Sequence, residues 1–295
     1  MSVPERESSP AGLRLSAIGY GGMLLSITGR PDRADAIALL HAALDAGVTF
    51  IDTADSYCLD EDDKHHNEGL IHEALERWSG DRETITVATK GGLIRPEGRW
   101  ERDGRPERLA TAIARSAEAL GGTIDLWQLH APDPEVPIED SLGPVRSAVD
   151  AGTIRHVGLS NVTVEEVRRA RAILPIVSIQ NHFNPWTRGA ESDGVLELCE
   201  REGLLFLPWS PFGGRHRAKS LPATFPILAE LSAELDASPW QLVLAWLLRL
   251  SPAILPIPAT TRRAALESNL QAATLELDEA AFERLNAGLR VAEDA

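Results

Sequence analysis

Apolar residues along this chain fall into short runs, and between the runs lie longer stretches where apolar positions recur every three or four residues. The runs "LRLSAIG" from Leu13, "VTFID" from Val48, "TITVATK" from Thr84 and "IDLWQLH" from Ile124 read as strands. So do "IRHVGLS" from Ile154, "PIVSIQN" from Pro175, "LLFLPWS" from Leu204 and "PAILPIP" from Pro252. Amphipathic segments such as 34–44, 108–120, 138–149 and 164–172 separate them, with capping and breaking residues where helices begin and end. Strands alternating with helices predict an α/β fold, a single-domain (β/α)8 TIM barrel. A doubly wound sheet is the rival, but it carries a GxGxxG turn after its first strand; "GYGG" at 19–22 lacks the third glycine and no helix follows at once.

Composition narrows the class. The 295 residues suit one barrel, with residues 1–12 read as a flexible leader and 13–295 as the barrel. No apolar run reaches the roughly 18 residues of a membrane span, and the start of the chain has no signal-peptide core. A net charge of -15 argues against nucleic acid or an anionic membrane as partner, though it leaves room for a local pocket holding one phosphorylated cofactor. Two cysteines, Cys58 and Cys199, make neither a disulfide framework nor a zinc site, which points to a reducing cytoplasm.

Chemistry in a barrel gathers at the carboxyl ends of the strands. Asp52 ends the second run, Lys90 the third and His130 the fourth, so three ionisable groups of different type take corresponding positions. A lysine held in an apolar strand needs a partner, and Asp52 is on the adjacent strand. Tyr57 follows five residues after Asp52. Its phenol, with an ordinary pKa of about 10, is expected to become a better acid beside a lysine cation. Such a group can give a proton to a carbonyl oxygen that His130 orients, provided something delivers hydride to the carbon.

These residues resemble the aldo-keto reductase family over nearly the whole chain, through "AIGYGG", "GVTFIDTADSY", "TVATK", "IDLWQLHAPDPEVPIEDSLG", "AGTIRHVGLSN", "SIQN", "PWSPFGGR" and "LPIPATTRRAALESNL". The resemblance implies a catalytic tetrad of Asp52, Tyr57, Lys90 and His130, with NADPH as cofactor and an aldehyde or ketone as substrate. It assigns Ser160, Asn161 and Gln180 to the nicotinamide carboxamide and Trp209 to the face against which the ring lies. A hydroxyl, two amides and an indole are suitable for those tasks. It also places Gly22 and Met23 beside the cofactor, and gives Ser210, Pro211, Phe212, Gly214 and Arg215 to the pyrophosphate side. Pro258, Thr260, Thr261, Arg262, Ser268 and Asn269 fall on the adenosine side. Arg262 and Arg263 favour NADPH over NADH by their charge, with NADH possible. Many relatives read IPG where Ala259 stands, and an acid where Ser268 precedes Asn269.

Other features have two readings. Ser160 and Asn161 also suit a helix cap ahead of "TVEEVRRA". "DEDDKHHNE" at 60–68 looks metal-like but lacks the i, i+4 histidine pair of a helical zinc site, and is read as a polar loop forming pocket wall. Cys58, Trp100 and Trp186 are candidates for the substrate pocket; a buried inert thiol and loop-packing indoles are the alternatives. Two functional rivals remain: a low-turnover nucleotide-binding sensor that contacts a partner, and a lyase forming a Schiff base on Lys90.

Overall fold

The computed structural model describes residues 5–8 and 12–290. It is an α/β fold built on a parallel sheet of seven strands, with helices packed on its outer face.

The first strand pair is antiparallel. β1 (Glu5–Ser8) pairs with β2 (Leu13–Ser16), so part of the expected leader is in a hairpin; residues 1–4 and 9–11 lie outside the described residues. β3 (Tyr20–Gly21) is the first parallel strand. The run "LRLSAIG" therefore supplies the hairpin and leads into β3, rather than forming one rung. Leu15 of β2 joins Phe50, Ala88, Leu126 and Leu205 in an inner apolar cluster, while Ser16 and Thr49 exchange backbone-to-side-chain hydrogen bonds of 2.7 and 3.0 Å.

α1 (Arg33–Asp45) leads to β4 (Phe50–Asp52), and α2 (His66–Arg77) to β5 (Thr86–Gly91). A small antiparallel ribbon follows, β6 (Leu93–Ile94) with β7 (Glu101–Arg102). Then come α3 (Pro106–Ala119), β8 (Ile124–Leu129), α4 (Ile138–Asp150), β9 (Ile154–Ser160), α5 (Val164–Arg171) and β10 (Ser178–Gln180). The last part holds α6 (Val195–Glu202), β11 (Leu205–Phe206), α7 (Gly214–Thr224), α8 (Pro226–Leu235), α9 (Pro239–Leu250), α10 (Arg263–Gln271) and α11 (Glu279–Gly288). Proline at the first turn of α3, α8 and α9 presets the helical φ where no N–H is needed. Capping boxes at Thr163 with Glu166 and at Ser238 with Gln241 start α5 and α9. The cap of α5 is thus Thr163, not Ser160 or Asn161.

The eighth run does not form a strand. Pro252, Pro256 and Pro258 remove three N–H donors from "PAILPIP". What remains is a single bridge between Phe206 and Ile254, with Leu255 N–H donating to Phe206 O on one side. On the other, Gly19 and Gly21 donate to Pro256 O and Pro258 O.

Strand alternation positions the site. Ile51, Val87 and Trp127 belong to the outer core against the helices, whereas Phe50, Ala88 and Leu126 belong to the inner cluster. Two residues further along each strand, Asp52, Lys90 and Gln128 repeat the inward direction. The register pairs Asp52 with Ala88, Lys90 with Gln128 and Ser160 with Gln180, so polar groups from neighbouring strands meet at the carboxyl end of the sheet.

Candidate active site

Lys90 is fully buried and uses three hydrogen bonds: to Asp52 Oδ2 at 2.7 Å, Thr53 O at 2.8 Å and Tyr57 Oη at 3.0 Å. Asp52 is held from the other side by Gln180 Nε2 at 2.8 Å. The backbone explains how Tyr57 reaches this point. Beyond β4, Thr53 N–H donates to Ala88 O and Asp55 N–H to Lys90 O, so the chain follows β5 past the end of the strand. It then turns with Tyr57 N–H on Ala54 O, which brings the phenol back over Lys90, whose Nζ lies 4.7 Å from the ring centre. His130 completes the group, its ring edge-on to Tyr57 at 5.8 Å and its Nδ1 3.4 Å from Ser56 Oγ.

Burial sets the protonation states. It depresses the His130 imidazole well below its usual range, with Lys90 and Lys64 adding to the effect, so the ring is neutral at pH 7. It also lowers the Lys90 ammonium, against the pull of Asp52. For Tyr57 the outcome corrects the expectation from sequence. Burial, and then the Asp52 carboxylate, push the phenol well above 10, so the resting hydroxyl is neutral rather than acidified. Lys90 Nζ nonetheless donates to the phenol oxygen.

These groups stand at the floor of a cleft of about 920 Å³, within the range of small-molecule and cofactor sites. Asp52, Tyr57 and His130 line it; Lys90 lies beneath them. Of the residues assigned to a cofactor, Met23, Ser160, Asn161, Gln180 and Trp209 line the cleft, as do Ser210, Pro211, Phe212, Gly214 and Arg215. Thr260, Thr261 and Arg262 line it too. Gly22, Pro258, Ser268 and Asn269 do not. Gly22 lies just behind, where a side chain would collide with Asn67 Oδ1 and the Asp52 carbonyl, and Asn269 is buried in α10. Arg263 turns to Glu267 at 2.9 Å, leaving Arg262 as the arginine of that pair at the cleft.

Trp209 is gripped on one face by His182, stacked at 3.9 Å and 8°, and its Nε1 donates to Asn161 Oδ1 at 3.0 Å. Asn161 in turn donates to His130 O and Ser160 Oγ. Asn161 and Ser210 both adopt positive φ, 57° and 52°, a backbone strain concentrated on the cleft wall.

Among the three substrate-pocket candidates, Trp100 lines the cleft with Leu93, Leu24 and Ile27. Cys58 does not: it is buried, its Sγ donates to Ser56 O, and burial pushes the thiol up to about 11. Trp186 packs edge-on against Phe225 at 4.9 Å, beside the start of α7, where a side chain on Gly213 (φ 74°) would strike its ring. The acidic loop at 60–68 is scaffold and not pocket wall. Asp60 accepts from the N–H groups of Asp62 and Asp63, Asp63 holds Arg30, and Glu61 pairs with Arg108. Among the described residues no group of histidines, cysteines and acids is arranged to hold a metal ion.

Several contributors were missed from sequence. Glu68 is buried between Thr89 Oγ1 at 2.5 Å and His65 Nδ1 at 2.6 Å, and Asp55 is buried against Lys64 at 3.0 Å, its carboxyl raised by burial. The signal for Glu68 was a carboxylate on the apolar stripe of α2, in line with Ile71 and Leu75.

Comparison with known proteins agrees with this geometry. The model of the aldo/keto reductase family matches residues 17–289, and the chain belongs to that family. It is therefore an oxidoreductase of a family that acts on small-molecule carbonyl compounds. An uncharacterized oxidoreductase of Schizosaccharomyces pombe is 38% identical over 278 residues, 92% of this chain and 86% of that one. Pyridoxine 4-dehydrogenase of Escherichia coli is 35% identical over 285 residues, covering 92% and 94%. A thermostable aldo-keto reductase solved with the inhibitor epalrestat superposes with a TM-score of 0.81 at 28% identity, over 96% of this chain and 98% of that one. Glycerol dehydrogenase of Gluconobacter oxydans shares the fold, with a TM-score of 0.83 at 23% identity over 98% and 96%.

Proposed function

We propose that this protein is an NADPH-dependent carbonyl reductase with Tyr57 as its proton donor, working in the cytoplasm. The observation that carries the reading is the Lys90 ammonium, which donates at once to the Tyr57 hydroxyl and the Asp52 carboxylate beneath the cleft. Tyr57 gives its proton to the substrate oxygen as negative charge builds there, and Lys90 stabilises the phenolate left behind. Asp52 balances the lysine charge. Neutral His130 points the carbonyl oxygen toward the phenol by hydrogen bonding.

The residues of the cleft fit a phosphorylated dinucleotide. α7 and α10 both begin at its edge without a side-chain cap or an acid in the first turn, so their N–H groups and positive dipole ends favour an anion. Arg215 and Arg262 bring charge to the same edge, and Arg262 makes no ion pair among the described residues. Gln180 keeps its Oε1 as an acceptor and Ser160, whose Oγ accepts from Asn161, keeps its O–H as a donor for a carboxamide, and Trp209 keeps the face not covered by His182. The cofactor supplies hydride when bound. In this reading the bridge at Ile254 and the bonds from Gly19 and Gly21 close the sheet as the eighth rung of a barrel.

The Schiff-base alternative has nothing in its favour, because Lys90 is fully buried with all three donors engaged. The test is steady-state NADPH oxidation with a panel of aldehydes and ketones, pyridoxal included because of the name of the 35% identical relative. A reductase turns over at least one of them; a chain that binds NADPH yet oxidises none is a sensor.

A further inference from the structure

Behind the substrate end of the cleft lies a buried cation that the reaction does not use. Arg95, in the loop after β6, is 5% exposed and makes no ion pair among the described residues. A guanidinium has five N–H donors in a rigid fork. Here all five are spent on backbone carbonyls. Nη1 donates to Cys58 O at 2.8 Å and Ser56 O at 3.3 Å, Nη2 to Gly98 O at 2.8 Å and Leu59 O at 3.2 Å, and Nε to Gly98 O at 3.2 Å. Three of these four carbonyls belong to the segment that flanks Tyr57. The fourth belongs to a turn in which Glu97 and Gly98 both adopt positive φ, 50° and 79°. The same guanidinium lies over Trp100, with its carbon 3.9 Å from the ring centre.

Trp100 is the exposed member of a trio of rings. It meets Tyr57 edge-on at 6.4 Å and His130 at 6.5 Å, lines the cleft, and is 45% exposed. An indole so exposed, in the loop just before a two-residue strand, has little packing of its own to fix its direction. Arg95 covers one of its faces and ties the turn before it to the loop carrying the proton donor.

We propose that Arg95 is a positioning residue for the substrate: it locks Trp100 as a rigid aromatic wall beside Tyr57 and His130 and so sets the fit of the carbonyl compound without touching it. The inference rests on the reductase reading of the cleft. It also implies a substrate class. A wall of Trp100, Leu93, Leu24 and Ile27, with no acid or base of their own, suits an aldehyde on an aromatic or apolar body. A lysine cannot replace the arginine, because a three-donor point charge neither spans four carbonyls nor covers an indole face.

The experiment is a double-mutant cycle of Arg95→Met and Trp100→Ala, read with an aromatic aldehyde, with Arg95→Lys alongside. The expected result is a KM about tenfold higher in Arg95→Met, with kcat within about twofold and NADPH quenching of tryptophan fluorescence unaltered. Arg95→Lys behaves like Arg95→Met, and adding Arg95→Met to Trp100→Ala raises KM no further. Acrylamide quenching assigned to Trp100, as the difference between each protein and its Trp100→Phe counterpart, rises in both Arg95 variants and needs no turnover. Additive effects of the two substitutions on KM, full function in Arg95→Lys, or unchanged quenching of Trp100 overturns the inference. A wild-type chain that oxidises NADPH with no carbonyl compound overturns the reductase reading instead, and leaves the quenching comparison to decide the role of Arg95.

Discussion

The two ends of the cleft are built on opposite terms. At the floor, Asp52, Lys90, Tyr57 and Gln180 sit on strand ends or on chain that follows a strand, are almost wholly buried, and share hydrogen bonds of 2.7 to 3.0 Å. At the rim, Arg215 and Arg262 stand on exposed helix starts; among the described residues, the Arg215 guanidinium donates only to Thr28 O, at 3.3 Å. The floor is assembled before any ligand arrives, because a buried ammonium without partners would cost several kcal/mol. The rim can stay open because exposed cations cost little until an anion draws them in. In the proposed reading, chemistry therefore resides in preorganised groups, and cofactor choice in groups that ligand binding organises.

The largest effect expected from breaking this contrast comes from the floor. Lys90→Met leaves Asp52 buried without its cation, which costs about 3–5 kcal/mol of stability in denaturant unfolding. It also lowers reduction at least about a hundredfold. A variant as stable as the parent would mean that the floor is not a single preorganised unit.

At the rim the effect is smaller and of another kind. Arg262→Ala weakens NADPH binding about tenfold, the scale of one lost charge-assisted hydrogen bond. It leaves NADH binding and kcat nearly unchanged. Fluorescence titration with both nucleotides checks this, and equal losses for the two would move Arg262 away from a phosphate.

A pH experiment sharpens the floor further. The His130 imidazole is held below its unfolded value of about 6.5. The stability it contributes is thus present above pH 6.5 and is lost as pH falls through the depressed folded value, since the unfolded chain then binds the extra proton. His130→Gln should flatten that part of the stability profile, below about pH 6.5. The smallest effect is expected at Cys58→Ser, within about 0.5 kcal/mol if the hydroxyl takes over the bond to Ser56 O, with activity intact. Loss of turnover there would return Cys58 to the site.

Much of the floor was legible in the sequence because strand parity is local: an acid, a lysine and a histidine at corresponding ends of apolar runs must face the same way. The bond from Gln180 to Asp52 spans 128 residues and follows only from strand order. The direction of the Tyr57 pKa was misread because a neighbouring cation is visible in sequence and depth of burial is not. "PAILPIP" was read as a strand by its apolar content, although its three prolines leave it too few donors to pair as one. Arg95 left no sequence signal, since its four partners are backbone carbonyls, which carry no residue identity.

The most direct measurement is single-turnover reduction by Tyr57→Phe, followed at the NADPH absorbance with saturating aldehyde, beside a titration of nucleotide binding. A loss of about a hundredfold or more in the reduction rate, with nucleotide affinity within about twofold of the parent, is the expected result. A rate equal to that of the parent would contradict the assignment of this phenol as proton donor.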